Sequence, residues 1–145
     1  MGIISKQIHK QKTNRLAAPV RCVTKLDVDQ VLTILRRVVD RPLPQTWRTD
    51  PRRKLWLIGS APGPWKVCLG LPKKDAPNTV VPSWTTLVKL QAASSGKETL
   101  VTTVLAKWFT RDGKLVRGQE FEQFMADFSA AMRVSDPSYH ALDAP

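Results

Sequence analysis

The stretch LDVDQVLTILRRVVDRPLP, residues 26–44, decides the fold of this chain. Val28, Val31, Leu32, Leu35, Val38 and Val39 recur within it at helical spacing, which gathers them on one stripe of an α-helix. The start signals are complete. Asp27 is placed to cap the helix, Gln30 stands three residues on as its capping-box partner, and Leu26 with Val31 has the spacing of a hydrophobic staple. Asp29 suits the positive end of the helix dipole, and Arg36 with Arg37 suits the negative end. Pro42 and Pro44 stop it. The pattern predicts a helix over 27–40 with one apolar face to bury.

What lies on either side reads as strand. PVRCVTK, residues 19–25, alternates before the helix. After it, Lys54–Gly59 and Trp65–Leu71 are apolar runs joined by SAPGP, whose prolines and glycine predict a hairpin turn. PKKDAPNT then leads to Trp84–Gln91, where Trp84, Thr86, Val88 and Leu90 share one strand face. AASSGKE reads as the next turn, and Leu100–Phe109 has the Val, Thr and aromatic content of a strand. Asp112-Gly113 is a turn dipeptide that lets Lys114–Val116 fold back. A second helix is predicted from Gln119 to Val134, with Phe121, Phe124, Met125, Phe128 and Met132 on one face and Pro137 beyond its end. Consecutive strands with short turns are antiparallel. The fold class is therefore α+β: an antiparallel meander of about five strands covered by two amphipathic helices. One domain, residues 18–137, lies between a basic N-terminal arm, residues 1–17, and a tail, residues 138–145.

Composition agrees with that outline. A chain of 145 residues, 42% hydrophobic and 24% charged, is a one-domain globular protein. No apolar run approaches the ~18 residues of a membrane span, and the basic start lacks the apolar core of a secretion signal. Cys22 and Cys68 lie in apolar surroundings and read as buried free thiols of a reducing cytoplasm, with a single disulfide between them left open for an exported protein.

Layout and local wording carry a resemblance. A helix laid across a curved antiparallel sheet resembles the helix-grip arrangement of START-like lipid-binding domains. WFTRDGKLVRG, residues 108–118, and FEQFMADFSAAMRVSDPS, residues 121–138, resemble stretches of small uncharacterised actinobacterial proteins and their phage relatives. One helix, not two, follows the first strand, which departs from the START-like pattern, and no functional residue is carried over.

The residues argue against most catalysis. The two histidines, His9 and His140, stand near opposite ends of the chain. There is no G-x-S-x-G, no P-loop and no dinucleotide fingerprint. Asp27 and Asp29 are accounted for by helix capping and the dipole. The expectation is a non-enzymatic binding domain without cofactor or metal.

Charge points to the partner. Lysines and arginines number 23 against 12 acids, a net charge of +11, and residues 1–54 hold 13 of those bases with 4 acids. Such asymmetry implies a polyanion: nucleic acid, an acidic membrane face or an acidic protein surface. The expected contacts are Lys6, Lys10, Lys12 and Arg15 on the arm, and Trp47, Arg48, Arg52, Arg53 and Lys54 in TWRTDPRRKLW, which mixes cations with flat rings. Trp47 is expected to offer its face for stacking and Trp56 to join the core. An alternative is an apolar ligand pocket lined by Trp65, Trp84, Trp108, Phe124 and Phe128. A third is a phage or assembly protein whose arm docks on an acidic neighbour.

Overall fold

Helix α1 (Val28–Val39) begins at the predicted capping box. Asp27 Oδ1 accepts from the Gln30 amide at 2.8 Å, and Gln30 Oε1 accepts from the Asp27 amide at 2.9 Å. Val31, Ile34, Leu35, Val38 and Val39 are buried, so Ile34 joins the predicted stripe while Val28 and Leu32 sit at its margins. The second helix, α2 (Gly118–Ser135), buries Phe121, Phe124, Phe128 and Met132. The rings of Phe124 and Phe128, one turn apart, stack with centroids 6.2 Å apart. The computed structural model describes residues 19–44, 47, 50–59, 64–81, 85–105, 109–111, 114–116 and 118–142.

The strands are β1 (Val20–Thr24), β2 (Lys54–Ile58), β3 (Trp65–Gly70), β4 (Thr85–Ser95), β5 (Glu98–Leu105), β6 (Phe109–Arg111), β7 (Lys114–Val116) and β8 (His140–Ala141). Six of them form one open antiparallel sheet in the order β2-β3-β4-β5-β1-β8, and β6 with β7 makes a separate ribbon. The fold is the expected α+β class, with the meander β2 to β5 intact and β1 added beside β5. The two helices pack on each other, α1 against β2 and β4, and α2 against β4.

Three local expectations are corrected. The turn predicted over residues 92–98 shrinks to Gly96-Lys97, because β4 continues to Ser95 and pairs residue by residue with β5 as far as Glu98. Cross-strand pairing outweighs the weak strand propensity of Ala and Ser here. Gly96 has φ +66°, the left-handed backbone that a two-residue hairpin turn demands and that glycine adopts without strain. The strand predicted to run to Phe109 ends at Leu105, and Phe109 pairs with Val116 in the small ribbon. The tail is also partly structured. Tyr139 is buried, and His140 and Ala141 pair with Val23 and Cys22, covering an edge of β1 that would otherwise be unpaired.

The end of α2 is fastened to the β1–α1 junction by one carboxylate. Asp136, 5% exposed, accepts from the Thr24 hydroxyl at 2.6 Å and the Lys25 amide at 2.8 Å. It also accepts from the Ser138 hydroxyl at 2.6 Å and the Ser138 amide at 3.0 Å. Hydrogen bonds from Ser138 and Thr24 hold its carboxyl well below the usual carboxylate range. Thr99 donates to the Leu26 carbonyl at 2.6 Å, so strand β5 joins the same knot.

Alternation along the strands sorts side chains into two faces. Cys22, Thr24, Trp65, Val67, Val88, Leu90, Ala92, Val101 and Thr103 are buried under the helices. Their neighbours point the other way. Two tryptophans take the reverse of their expected places. Trp47 is 7% exposed and belongs to the core, so its face is withheld from any stacking partner. Trp56 is half-buried, because the register that turns Leu55 toward the helices turns Trp56 outward, opposite Cys68.

Candidate functional site

Leu55 and Leu69 pair on the inner face, which places Lys54 and Trp56 together on the outer one. The Trp56 Nε1–H donates to the Gly70 carbonyl at 3.0 Å, so the indole edge rests on β3. Lys54 Nζ sits 4.1 Å from the centre of the same ring, a cation–π contact. The outer face continues through Lys66 on β3 and Lys89 on β4, which the register sets directly opposite one another. It then passes through Gln91 and Thr102 to Arg21, which lie in one row across β4, β5 and β1. Ile58, Val104, Leu100 and Val23 are half-buried between these polar residues.

Charge is divided between the two sides of the molecule. Among the described strand residues, the outer face carries Arg21, Lys54, Lys66 and Lys89 against the acid Glu98. The helical layer has the opposite balance: Asp27, Asp29 and Asp40 on or beside α1 and Glu120, Glu122 and Asp127 on α2, against Arg36, Arg37, Arg41 and Arg133. Lys66 beside Lys89 is the sharpest feature. Like charges directly opposite in an antiparallel pair repel, and an anion between them removes the repulsion.

Sequence-predicted contacts divide three ways. Lys6, Lys10, Lys12, Arg15 and Arg48 lie outside the described residues, as do Trp84 and Trp108 of the alternative pocket. Arg52 is engaged with Asp50 through Nη2 to Oδ2 at 2.8 Å and Nε to Oδ1 at 3.2 Å. That side-chain hydrogen bond lowers Asp50 from 3.8 to about 2 and raises Arg52. Arg52, Arg53 and Lys54 line an open cleft of about 750 Å³ with Arg41, Pro42 and Pro44, at the end of β2 nearest α1. Only Lys54 also belongs to the outer sheet face.

The aromatic residues of the alternative pocket that are described serve as packing. Trp65 and Phe128 are fully buried, and Phe124 borders a gap of about 20 Å³ shared with Val38, Trp47 and Leu55. That is little more than room for one water. Sequence reasoning missed Lys66, Lys89 and Arg21 as a group. The period-2 spacing of Lys66 with Val67 and of Lys89 with Val88 and Leu90 marks each as outward-facing, but only strand pairing sets them side by side.

The cysteines occupy opposite faces of the sheet. Cys22 points inward from β1 and Cys68 outward from β3, two strands away in between, and both are free and buried. The disulfide left open by the sequence has no route across the sheet. Burial pushes the Cys68 thiol up from its ordinary value, against smaller pulls from the Thr86 hydroxyl and Lys66. Among the described residues, no helix is long and apolar enough to cross a membrane. Comparison with protein-family models, curated proteins and solved structures finds no match to this chain.

Proposed function

We propose that this protein is a non-enzymatic binding domain that docks a polyanion on the outer face of its sheet. One observation carries the reading: Lys66 and Lys89 stand opposite each other on exposed positions of a face whose charge is cationic, while the helical layer is acidic. The juxtaposition is unfavourable in the free protein and favourable once a phosphate or carboxylate bridges it. The basic first third of the chain contributes Arg21 and Lys54 directly, and its arm supplies further cations for the same polymer. A reducing, cytoplasmic setting accords with two buried free thiols.

Fluorescence anisotropy with labelled DNA, RNA and polyphosphate, read across a salt series, tests it. The plot of log K against log salt is expected to fall steeply. In Lys66→Ala/Lys89→Ala its slope is expected to flatten by about 1.4 units on a single strand or about 1.8 on a duplex. The double variant is expected to melt no earlier than the native protein, since it removes a repulsion. No binding to any polyanion at low salt, or an unchanged slope in the double variant, overturns the reading.

A further inference from the structure

We infer that the polymer is single-stranded nucleic acid, laid diagonally across the outer face from Lys54 and Trp56 on β2, over Lys66 and Lys89, to Arg21 on β1; this rests on the polyanion reading above. Three observations select a single strand over a duplex. The first is composition. The cations are interleaved with Trp56, Ile58, Val104, Leu100 and Val23, all half-buried and facing the same way. A duplex offers phosphate and sugar and keeps its base faces stacked inside, so those apolar side chains meet nothing. A single strand offers phosphates and flat apolar base faces in alternation, which is what this face can contact.

The second is shape. The track crosses five neighbouring strands, β2 to β1, at about 4.8 Å per step, and climbs roughly 20 Å along them, a diagonal of roughly 25–30 Å. Neighbouring strands twist by about 20–25°, so the surface turns by roughly 80–100° over that distance. A duplex is stiff on this length scale. A single strand follows the twist, and the track has room for about four to eight nucleotides at one to two times the 3.4 Å duplex rise.

The third is the ring itself. The Trp56 indole is fixed edge-on to Gly70 by its N–H and is covered by the Lys54 ammonium at 4.1 Å. A base is a better partner for that ring than an ammonium at an exposed site, where the cation–π contact is weak. Exchanging one for the other frees Lys54 for the adjoining phosphate. Trp56 is then the stacking platform that the sequence had assigned to Trp47.

The experiment compares a labelled 12-mer of dT with a 12-base-pair duplex at one salt concentration, using the native protein, Trp56→Leu, Trp56→Phe and Lys66→Ala/Lys89→Ala. Leucine keeps an apolar side chain over β3 and removes the π-face, and urea melts check that the variant is folded. Single strand is expected to bind at least about tenfold tighter than duplex. Trp56→Leu is expected to lose about tenfold on the single strand, in the range of one stacked base, with Trp56→Phe retaining most of the affinity. Equal binding of the two polymers, or a Trp56→Leu protein that binds single strand as well as the native one, overturns the inference. If the lysine variant is still weakened in that case, the polyanion reading stands without it. If no polymer binds at low salt, the reading falls and the inference falls with it. A Trp56→Leu protein that does not fold leaves the decision to the ratio of single strand to duplex on the native chain.

Discussion

Replacing Asp136 by Ala withdraws the acceptor from three residues at once. The Thr24 hydroxyl at 2.6 Å loses its partner in a buried place that water does not reach easily, and the Lys25 amide loses its own at 2.8 Å. The Ser138 hydroxyl and amide lose theirs too, but Ser138 stands two residues on in the same turn and joins Asp136 to no other element. Counting only the two donors from the β1–α1 junction, each bonded to a charged acceptor, the expected loss is about 3–5 kcal/mol. That is a large part of the ~5–15 kcal/mol by which a domain is stable. In urea melts at neutral pH it corresponds to a midpoint lowered by about 1–5 M, for a slope of about 1–3 kcal/mol per M. Equal midpoints for the native and Asp136→Ala proteins would refute the claim that this carboxylate fastens α2 to the β1–α1 junction.

The same group sets a pH dependence with a definite sign. Its folded pKa is depressed below the ordinary 3.8, so the folded state holds the proton less tightly than the unfolded chain. Its contribution is complete above that ordinary value and drains away as pH falls through and below it. The gap between native and Asp136→Ala midpoints is therefore expected to narrow between pH 6 and pH 3. A gap that is constant, or that widens toward acid, means the stabilisation does not come from the ionised carboxylate.

Phe124→Ala is expected to cost about 3–5 kcal/mol in urea melts, because it removes a buried ring stacked on Phe128 and enlarges the existing gap beside Trp47. A loss under 1 kcal/mol would place the ring outside the core. Gly96→Ala is expected to cost about 1–2 kcal/mol from the left-handed backbone alone, since a methyl group there meets no atom within 4 Å. Gly59→Ala is expected to cost more than Gly96→Ala in the same melts, because φ is +127° and the added carbon comes within 2.8 Å of the Pro64 carbonyl oxygen. The reverse order would refute both the strain at φ +127° and the close approach to Pro64, since each of them makes Gly59 the costlier position.

The elements of the fold were legible wherever local chemistry acts within a few residues. The capping box at Asp27 and Gln30, the stripe of α1 and the phenylalanine face of α2 all depend on spacings of three and four, and all are present. Pairing over long separations was not legible. Tyr139 and His140 show no strand pattern of their own, and their place follows from the unpaired edge of β1, more than a hundred residues earlier. Asp136 reads as a helix-ending DPS turn, and its partners Thr24 and Lys25 stand at |i−j| of 112 and 111. Nothing in a local window connects them.

The tryptophans show why the candidate site stayed hidden while the fold did not. KLWLI is apolar at four of five positions, so hydrophobicity alone does not say which alternate set faces the helices. The pairing of Leu55 with Leu69 settles the phase and turns Trp56 to the outer side. Trp47, alone among polar neighbours in a proline-broken loop, looks solvent-facing for the same reason that Trp56 looks buried: a window reports the neighbours in sequence and not those in space. The lysines follow the same logic in charge. Thirteen bases in residues 1–54 draw attention to the first third of the chain, yet Lys66 and Lys89 beyond it are the pair that antiparallel register brings together. A surface built by a sheet is a property of several strands at once. Its charge is legible only after register is known, and composition along the chain locates the wrong half of it.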